Sequence, residues 1–355
     1  MNRTGSLLDV TLEAVRPVEP DRIAMARLRL DSLTKPRGSL GYLEDVAARY
    51  VAISRKEKPV LGKKRVCVFA GDHKVTAEGV SAYPPSVTGL MVKNFLHGGA
   101  AINVLSRRAG AEVEIIDIGM AEDLGDLPGL LDRNVKRGAD NIARGPAMSH
   151  VEAREALAVG IECARRAAAD GVALLGTGDM GIGNTTPSAA LFAALLNLPV
   201  RELVGPGTGL DAEGVQHKIA VVEKALAVNR PHCVDPLSTL AALGGLEIAG
   251  ICGLCIGGAA RSLAIVVDGF ISSAGALVAM RMRPAVKDYL FFAHQSAEPG
   301  HDRFFQSEGL RPLVNLGMRL GEGTGAAIAM QIIEDAVAIH NEMATFAEVG
   351  ITPGA

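Results

Sequence analysis

The chain reads as an α/β protein with a mostly parallel sheet, helices on both of its faces, and a smaller helical unit built from the two chain ends. Three observations predict this. Short apolar runs of strand length alternate with longer stretches of helical periodicity. The apolar runs are nearly continuous, as strands buried on both faces must be. Residues 1–60 and the last stretch of the chain carry helical periodicity without strand signals.

The N-terminal segment comes first. Asp21 to Leu33 and Leu40 to Ser54 place apolar residues at helical spacing, and Leu33-Thr-Lys-Pro-Arg-Gly-Ser-Leu40 separates them as a Pro/Gly loop. The strand signals follow. Arg65 to Ala70 ends in Gly71-Asp-His73, Glu112 to Ile118 ends in Gly119, and Gly171 to Leu175 runs into a glycine-rich loop. Ser262 to Val267 ends in Asp268-Gly269, and Asp288 to Ala293 ends in His294-Gln-Ser296. A long helix is expected from about Gly325 to Val349, packing with the N-terminal helices. The organisation expected is 1–60 and 311–355 as one helical unit and 61–310 as the α/β unit. Nearly every strand signal stops at Gly, Asp, His or Ser. Ligands of open α/β sheets bind beyond the carboxyl ends of the strands, so these polar ends should meet around one cleft.

Composition narrows the function. The chain has 355 residues, 48% hydrophobic and 21% charged, with a net charge of -3. No basic excess or polybasic run points to nucleic acid or an anionic membrane surface. Tryptophan is absent and aromatics are 4%, which argues against a base-stacking platform. The polar start, with Asp9 and Glu13, carries no secretory signal. The greasiest region, Ile248 to Met280, is broken by Arg261 and Asp268 into pieces too short to span a bilayer. A cytoplasmic protein is expected. Five cysteines suit a reducing compartment. Cys252-Gly-Leu-Cys255 has half the spacing of a zinc site but no second pair, so buried thiols are the expectation.

The loop Gly176-Thr-Gly-Asp-Met-Gly-Ile-Gly-Asn-Thr-Thr186 lies between an apolar run and an alanine-rich helical run, Pro187 to Leu196. Glycines let backbone N–H groups reach an anion, and a helix start adds partial positive charge. The loop is a candidate phosphate cradle; an ordinary tight strand-to-helix turn is the plainer alternative. It lacks the Lys-Ser/Thr ending of a P-loop. A second turn, Gly205-Pro-Gly-Thr-Gly-Leu-Asp211, precedes a helical pattern containing Lys218. Two such turns and a lysine suggest one anion held from two sides, although most lysines are solvated surface residues.

Several segments together are similar to one family. They are Leu33 to Leu40, Phe69-Ala-Gly-Asp-His73, Gly79-Val-Ser-Ala-Tyr-Pro84 and Gly98-Gly-Ala-Ala-Ile-Asn103. They continue with Gly178 to Thr186, Asp268-Gly-Phe-Ile-Ser-Ser273, Ser296-Ala-Glu-Pro-Gly-His301 and Leu320-Gly-Glu-Gly-Thr-Gly325. In this order, nearly end to end, they resemble the nicotinate-nucleotide–dimethylbenzimidazole phosphoribosyltransferases. The resemblance implies a Rossmann-like α/β domain with a small helical domain, a homodimer, and no metal or organic cofactor. It implies transfer of 5-phosphoribosyl from nicotinate mononucleotide to 5,6-dimethylbenzimidazole, giving α-ribazole 5′-phosphate and nicotinate, the lower-ligand step of cobalamin synthesis.

That reaction needs little acid–base help. The leaving pyridine departs as a neutral ring, and the incoming azole loses one proton, so one carboxylate suffices as general base. By resemblance the base is Glu322; a carboxylate favoured at a helix start is the alternative. Asp179 is expected to face the ribose, where the family has Glu at least as readily. Gly181, Gly183, Asn184 and Thr185, with Gly207, Gly209 and Lys218, are expected to hold the phosphate. Ser81, Tyr83 and Pro84 resemble the segment lining the azole pocket. Asp72, His73 and His301 rank below Glu322 as catalysts. One departure stands out. Many members carry glutamine just before Met91, where this chain has Leu90. An apolar group there would favour apolar azoles over hydroxylated ones.

Alternative readings are a related transferase acting on a different base, a non-catalytic nucleotide-binding subunit, and a nicotinamide dehydrogenase. The last lacks the usual first-strand fingerprint.

Overall fold

The computed structural model describes residues 6–351. Six strands form one sheet: β1 (Lys63–Gly71), β2 (Ala111–Gly119), β3 (Leu130–Asp132), β4 (Val172–Met180), β5 (Ala264–Val267) and β6 (Leu290–Phe292). Their order is β3-β2-β1-β4-β5-β6, and every neighbouring pair is parallel. The chain therefore winds one way from β1 and the other way from β4. The point of reversal opens a crevice at the carboxyl ends.

Helices cover both faces, as parallel strands require. Thr324–Glu342 crosses one face over β1, β4 and β5, beside Ala101–Ala109 and Tyr42–Ser54. Leu246–Ala259 lies on the other face, backed by His150–Ala169. The apolar run Ile248 to Met280 is divided among this helix, β5 and the buried helix Phe270–Met282. The glycines of Leu246–Ala259 and His150–Ala169 serve close packing: a Cβ on Gly257 would sit 2.9 Å from Ile161 Cα, and one on Gly160 would sit 2.6 Å from Leu254 N. Cys252 and Cys255 lie fully buried on Leu246–Ala259. No described helix is long and apolar enough to cross a membrane.

Pro20–Ser32 packs on Tyr42–Ser54, which packs on Thr324–Glu342. The Leu33–Leu40 segment joins the two ends of the chain. Thr34 N–H donates to Ala344 O at 2.9 Å, and buried Lys35 pairs with Glu44 at 2.8 Å. Leu30, Val46, Val66 and Met330 share one continuous core.

Two expectations need correction. β4 does not stop at Leu175 but continues to Met180, so half of the glycine-rich loop is strand. Gly176 and Gly178 face the C-terminal helix, where a Cβ would meet Met330 Cε at 2.9 Å and Glu322 O at 2.8 Å. They are there so the helix start can lie on the sheet. The C-terminal helix ends at Glu342, and residues Thr345–Gly350 turn back. The strand β3 and the first helix, Leu7–Ala14, were not read as elements in advance; they are three and eight residues long.

Candidate active site

A cleft of about 470 Å3 opens beyond the carboxyl ends of β4, β5 and β6. Its wall includes Asp179, Gly181, Gly183, Asn184 and Thr185 after or at the end of β4, and Gly269 and Phe270 after β5. His294, Ser296 and Glu298 follow β6, and Arg319 to Glu322 close it from the C-terminal segment.

Glu322 sits in an unusual turn. Gly321, Glu322 and Gly323 have φ of 81°, 65° and 88°, three consecutive left-handed residues. Glycine adopts this freely, but a glutamate does so at a cost that the surroundings must offset. Asp268 supplies the hold. Its Oδ2 accepts from Gly323 N–H at 3.1 Å and its Oδ1 from Ala326 N–H at 3.0 Å, tying the turn to the end of β5. Gly323 packs over the sheet, where a Cβ would lie 3.1 Å from Thr177 O. The flanking glycines thus fold the turn onto the sheet. The Glu322 carboxyl lines the cleft, is 5% exposed, and leaves Oε2 unpaired. Burial pushes its pKa up to about 7; the Ile102 N–H pulls against that, and the Asp268 charge adds to it.

Asp179 lies beside it. Its Oδ2 accepts from Asn184 Nδ2 at 3.0 Å, and Oδ1 has no partner. Burial, then the charges of Asp268 and Glu247, push its carboxyl well above the usual range. A floor of neighbouring carboxylates favours substrates that bring hydrogen-bond donors and developing positive charge.

The other end of the cleft suits an anion. The turn Gly181–Asn184 feeds the helix Thr185–Leu196, whose N-terminus faces the cleft. Gly183 has φ 90°, and Gly181 lies tight against the end of β1. Gly207, with φ 54°, brings the second turn against Thr185 and Lys218. Lys218 itself does not reach the cleft. It is 1% exposed, and its Nζ donates to Thr185 Oγ1 at 2.7 Å and to Gly205 O at 3.3 Å. Burial lowers its pKa to about 8, opposed by the Glu298 charge. The cation that does line the cleft is Arg319, which donates to Gly207 O at 2.9 Å. Gly209, with φ 113°, turns the loop outside the lining.

The segment before the helix Val87–Leu96 forms the remaining wall. Tyr83 lines the cleft and is 55% exposed. Ser81 and Pro84 do not line it. Ser81 Oγ donates to Tyr83 O at 3.1 Å and meets Thr208 Oγ1 at 3.1 Å, pinning this segment to the second glycine turn. Leu90 also lies off the cleft, 61% exposed; Val87 and Met91 line it instead. The helical repeat sets Val87 and Met91 about 40° apart, while Leu90 lies about 100° from Met91 on the flank away from the cleft.

The histidines singled out in the sequence are held within the protein. His73 Nε2 meets Glu247 Oε1 at 2.7 Å; burial opposes its charge, but the Glu247 carboxylate outweighs burial and holds it above its usual value. His301 Nδ1 accepts from Ser296 N–H at 2.8 Å, so its Nε2–H donates to Ser273 Oγ at 2.9 Å. Burial and the nearby His294 keep His301 neutral. Asp72 Oδ2 accepts from Ala121 N–H at 2.8 Å.

Known proteins resemble this arrangement closely. A phosphoribosyltransferase family model matches residues 15–351. The chain is 55% identical over 339 residues to the nicotinate-nucleotide–dimethylbenzimidazole phosphoribosyltransferase of Chlorobium chlorochromatii, covering 96% of each chain. The chain belongs to this family. The corresponding enzyme of Geobacter sulfurreducens is 54% identical over 349 residues, covering 98% of this chain and 99% of the other. The crystal structure of CobT from Thermus thermophilus superposes with a TM-score of 0.91 at 50% identity, covering 94% of this chain and all of that one.

Four site residues were not assigned from the sequence: Asp268, His294, Glu298 and Arg319. Asp268 and Glu298 lie in segments that carried the resemblance, and His294 stands just after β6, so position marked them while chemistry did not. Arg319 had no signal beyond its place three residues before Glu322.

Proposed function

We propose that the protein transfers the 5-phosphoribosyl group of nicotinate mononucleotide to 5,6-dimethylbenzimidazole, with Glu322 as general base. One observation carries the reading within the family: a buried carboxyl with a free oxygen and a pKa near 7 faces the cleft, across from an anion-binding end. A base works best with a pKa near the working pH.

The chemistry follows from the geometry. The helix start at Thr185, the Gly207 turn and Arg319 hold the 5′-phosphate, with Lys218 bracing Thr185 from behind. Phosphate binding there fixes the position of the reacting carbon. The azole nitrogen attacks C1′ while the bond to the pyridinium breaks, its electron pair staying on the pyridine nitrogen. The azole proton passes to Glu322. Asp179 faces the ribose, where its unpaired Oδ1 is free to accept a hydrogen bond from a hydroxyl. Val87, Met91 and Tyr83 offer the azole an apolar wall.

The helical segments 1–60 and 311–355 are proposed to act as one unit that carries the Glu322 turn to the α/β unit 61–310. A homodimer and a cytoplasmic setting complete the proposal; light scattering showing a stable monomer at micromolar concentration would count against the dimer. The decisive experiment mixes the protein with nicotinate mononucleotide and a panel of bases and reads product mass. α-Ribazole 5′-phosphate is expected. Its absence, with every base tested, would overturn the reading.

A further inference from the structure

A second cavity, of about 190 Å3, lies in the helical unit, where Pro20–Ser32 meets the ends of Tyr42–Ser54 and Thr324–Glu342. It is far from the cleft. The Glu322 turn precedes the start of the last of these helices, and His340 stands near its end, roughly 24 Å along the axis at about 1.5 Å per residue. The cavity is smaller than the ~300 Å3 at which pockets for drug-sized ligands begin, so it suits one small ring and not a nucleotide.

Its floor is apolar, with Ala26 and Val51 buried, and Arg22, Arg29, Arg55 and Lys56 surround that floor with positive charge. Glu57 is the one acid on the lining. In a chain of net charge -3 this concentration of cations needs a reason. Two of them have one. Arg29 donates to His340 O at 2.7 Å and to Asn341 O at 3.3 Å. Arg22 pairs with Glu19 at 2.8 Å and donates to Arg55 O at 3.4 Å. Both cover carbonyls at helix ends. Arg55 and Lys56 are exposed and unpaired among the described residues. Arg55 also holds φ 57° as the helix cap, where glycine would serve the turn better, so the turn does not account for its side chain.

His340 is the deciding group. It lines the cavity, is 1% exposed, and its Nε2 has no partner among the described residues. Asn341 Nδ2 donates to Pro59 O at 2.8 Å, which leaves Asn341 Oδ1 facing His340 Nδ1 at 3.3 Å. Nδ1 therefore carries the ring hydrogen, and Nε2 is a bare acceptor. Neither Asn341 nor Pro59 lines the cavity, so the ring edge left to it is the one with Nε2. The charged groups around the ring are Arg22 and Arg29 from Pro20–Ser32, and Arg55, Lys56, Glu57 and Lys58 from the segment after Tyr42–Ser54. Burial holds the ring below its usual pKa; the Asn341 contact opposes this, and the charges of Arg29 and Lys58 add to it. An unpaired acceptor among cations is costly. An anion resolves it, because its charge draws a proton onto Nε2, which then donates to the anion.

We propose that this cavity binds a carboxylate carried on a small apolar body, with Arg55, Lys56 and protonated His340 on the carboxylate and Ala26 and Val51 against the body. Inorganic phosphate would leave that floor uncovered. The nicotinate released in the reaction proposed above has the required chemistry, but the site does not depend on that reaction.

The test titrates benzoate, nicotinate, nicotinamide and inorganic phosphate into the full chain carrying 13C-methyl methionine. NMR follows Met25, which lines this cavity, and Met91, which lines the cleft. Benzoate and nicotinate should move Met25 saturably. Nicotinamide keeps the ring without the charge, and phosphate keeps the charge without the ring; each should bind at Met25 at least ~10-fold more weakly. Arg55→Ala with Lys56→Ala, both at exposed positions, should weaken benzoate at Met25 at least ~10-fold while leaving the Met91 response unchanged. Because a proton enters with the ligand, the affinity read at Met25 should fall as the pH rises from 6.5 to 8.5, and this dependence should vanish in His340→Asn. No saturable movement of Met25 overturns the proposal. So does an unchanged affinity in the double variant, or nicotinamide or phosphate binding there as tightly as benzoate. A wild-type affinity that is flat with pH removes His340 from the site.

Discussion

Glu322→Gln should abolish turnover and yet make the folded protein more stable above neutral pH. The carboxyl has a pKa of about 7 when folded against an ordinary value of 4.5, chiefly because burial disfavours its charge. The folded protein therefore holds a proton between those values that the unfolded chain has released. Stability from this group is full below about 4.5 and is lost as the pH rises through 7. Each tenfold change in proton affinity is worth ~1.36 kcal/mol, so the full loss is roughly 3 kcal/mol. The open mouth of the cleft screens part of it, which leaves roughly 1–3 kcal/mol. Glutamine carries no charge at any pH and keeps the shape. Denaturant unfolding of wild type and variant at pH 5 and pH 8 measures the difference. The two proteins should be nearly equal at pH 5, and the variant should be more stable at pH 8. The same wild-type carboxyl should give kcat/KM a rising limb near pH 7, since only the ionised form takes the azole proton. A variant no more stable at pH 8 than at pH 5, relative to wild type, would show that the carboxyl is not strained by burial, and the argument for its basicity would fall with it.

Other substitutions test the geometry of the turns and the cleft wall. Gly178→Ala should cut turnover at least ~10-fold with the fold intact by circular dichroism, because its Cβ would meet Glu322 O at 2.8 Å and displace the catalytic turn; Gly176→Ala, which meets only the flexible Met330 end, should do much less. Arg319→Ala should weaken binding of nicotinate mononucleotide but not of the riboside lacking phosphate, with thermal stability unchanged. Lys218→Ala should weaken the nucleotide more than the riboside and also lower the melting temperature, since it removes the buried donor to Thr185 Oγ1 and Gly205 O, at a cost of about 1–3 kcal/mol; equal binding losses on both ligands would make Lys218 purely structural. Leu90→Gln should leave the preference among benzimidazoles and phenols unchanged, whereas Met91→Gln, on the lining face, should shift it towards hydroxylated bases in direct competition.

How far the site could be read from the sequence depended on whether a residue's partner was local or distant. The strand cores were legible because burial on both faces leaves a continuous apolar run, as in Val66 to Ala70 and Ala264 to Val267. The strand ends were legible because the chain there switches to Gly, Asp and His within one residue; the ends of β4, β5 and β6 converge on the cleft, whereas Gly71 to His73 after β1 and Gly119 at the end of β2 do not line it. The purpose of individual glycines was not legible. Gly178 and Gly183 sit in one motif, but the first clears room for the Glu322 turn and the second shapes the anion turn; only the position of a segment far along the chain separates the two roles. Lys218 shows the same limit in charge. A lysine after a glycine turn suggests a phosphate ligand, but whether its ammonium faces the cleft or the protein depends on the distant Glu298, which takes Gly207 N–H and draws the ammonium inward. Leu90 shows it in direction: a departure from the family is visible in the sequence, while the face it lies on is set by where the helix Val87–Leu96 meets the sheet. Glu322 was legible through its family motif. The reason a glutamate can hold a left-handed backbone there was not. That reason is Asp268, which binds two N–H groups of the turn from the end of another strand. The Glu322 carboxyl is thus positioned by a second carboxylate, and while burial is what chiefly raises its pKa, the charge of that neighbour adds to the rise.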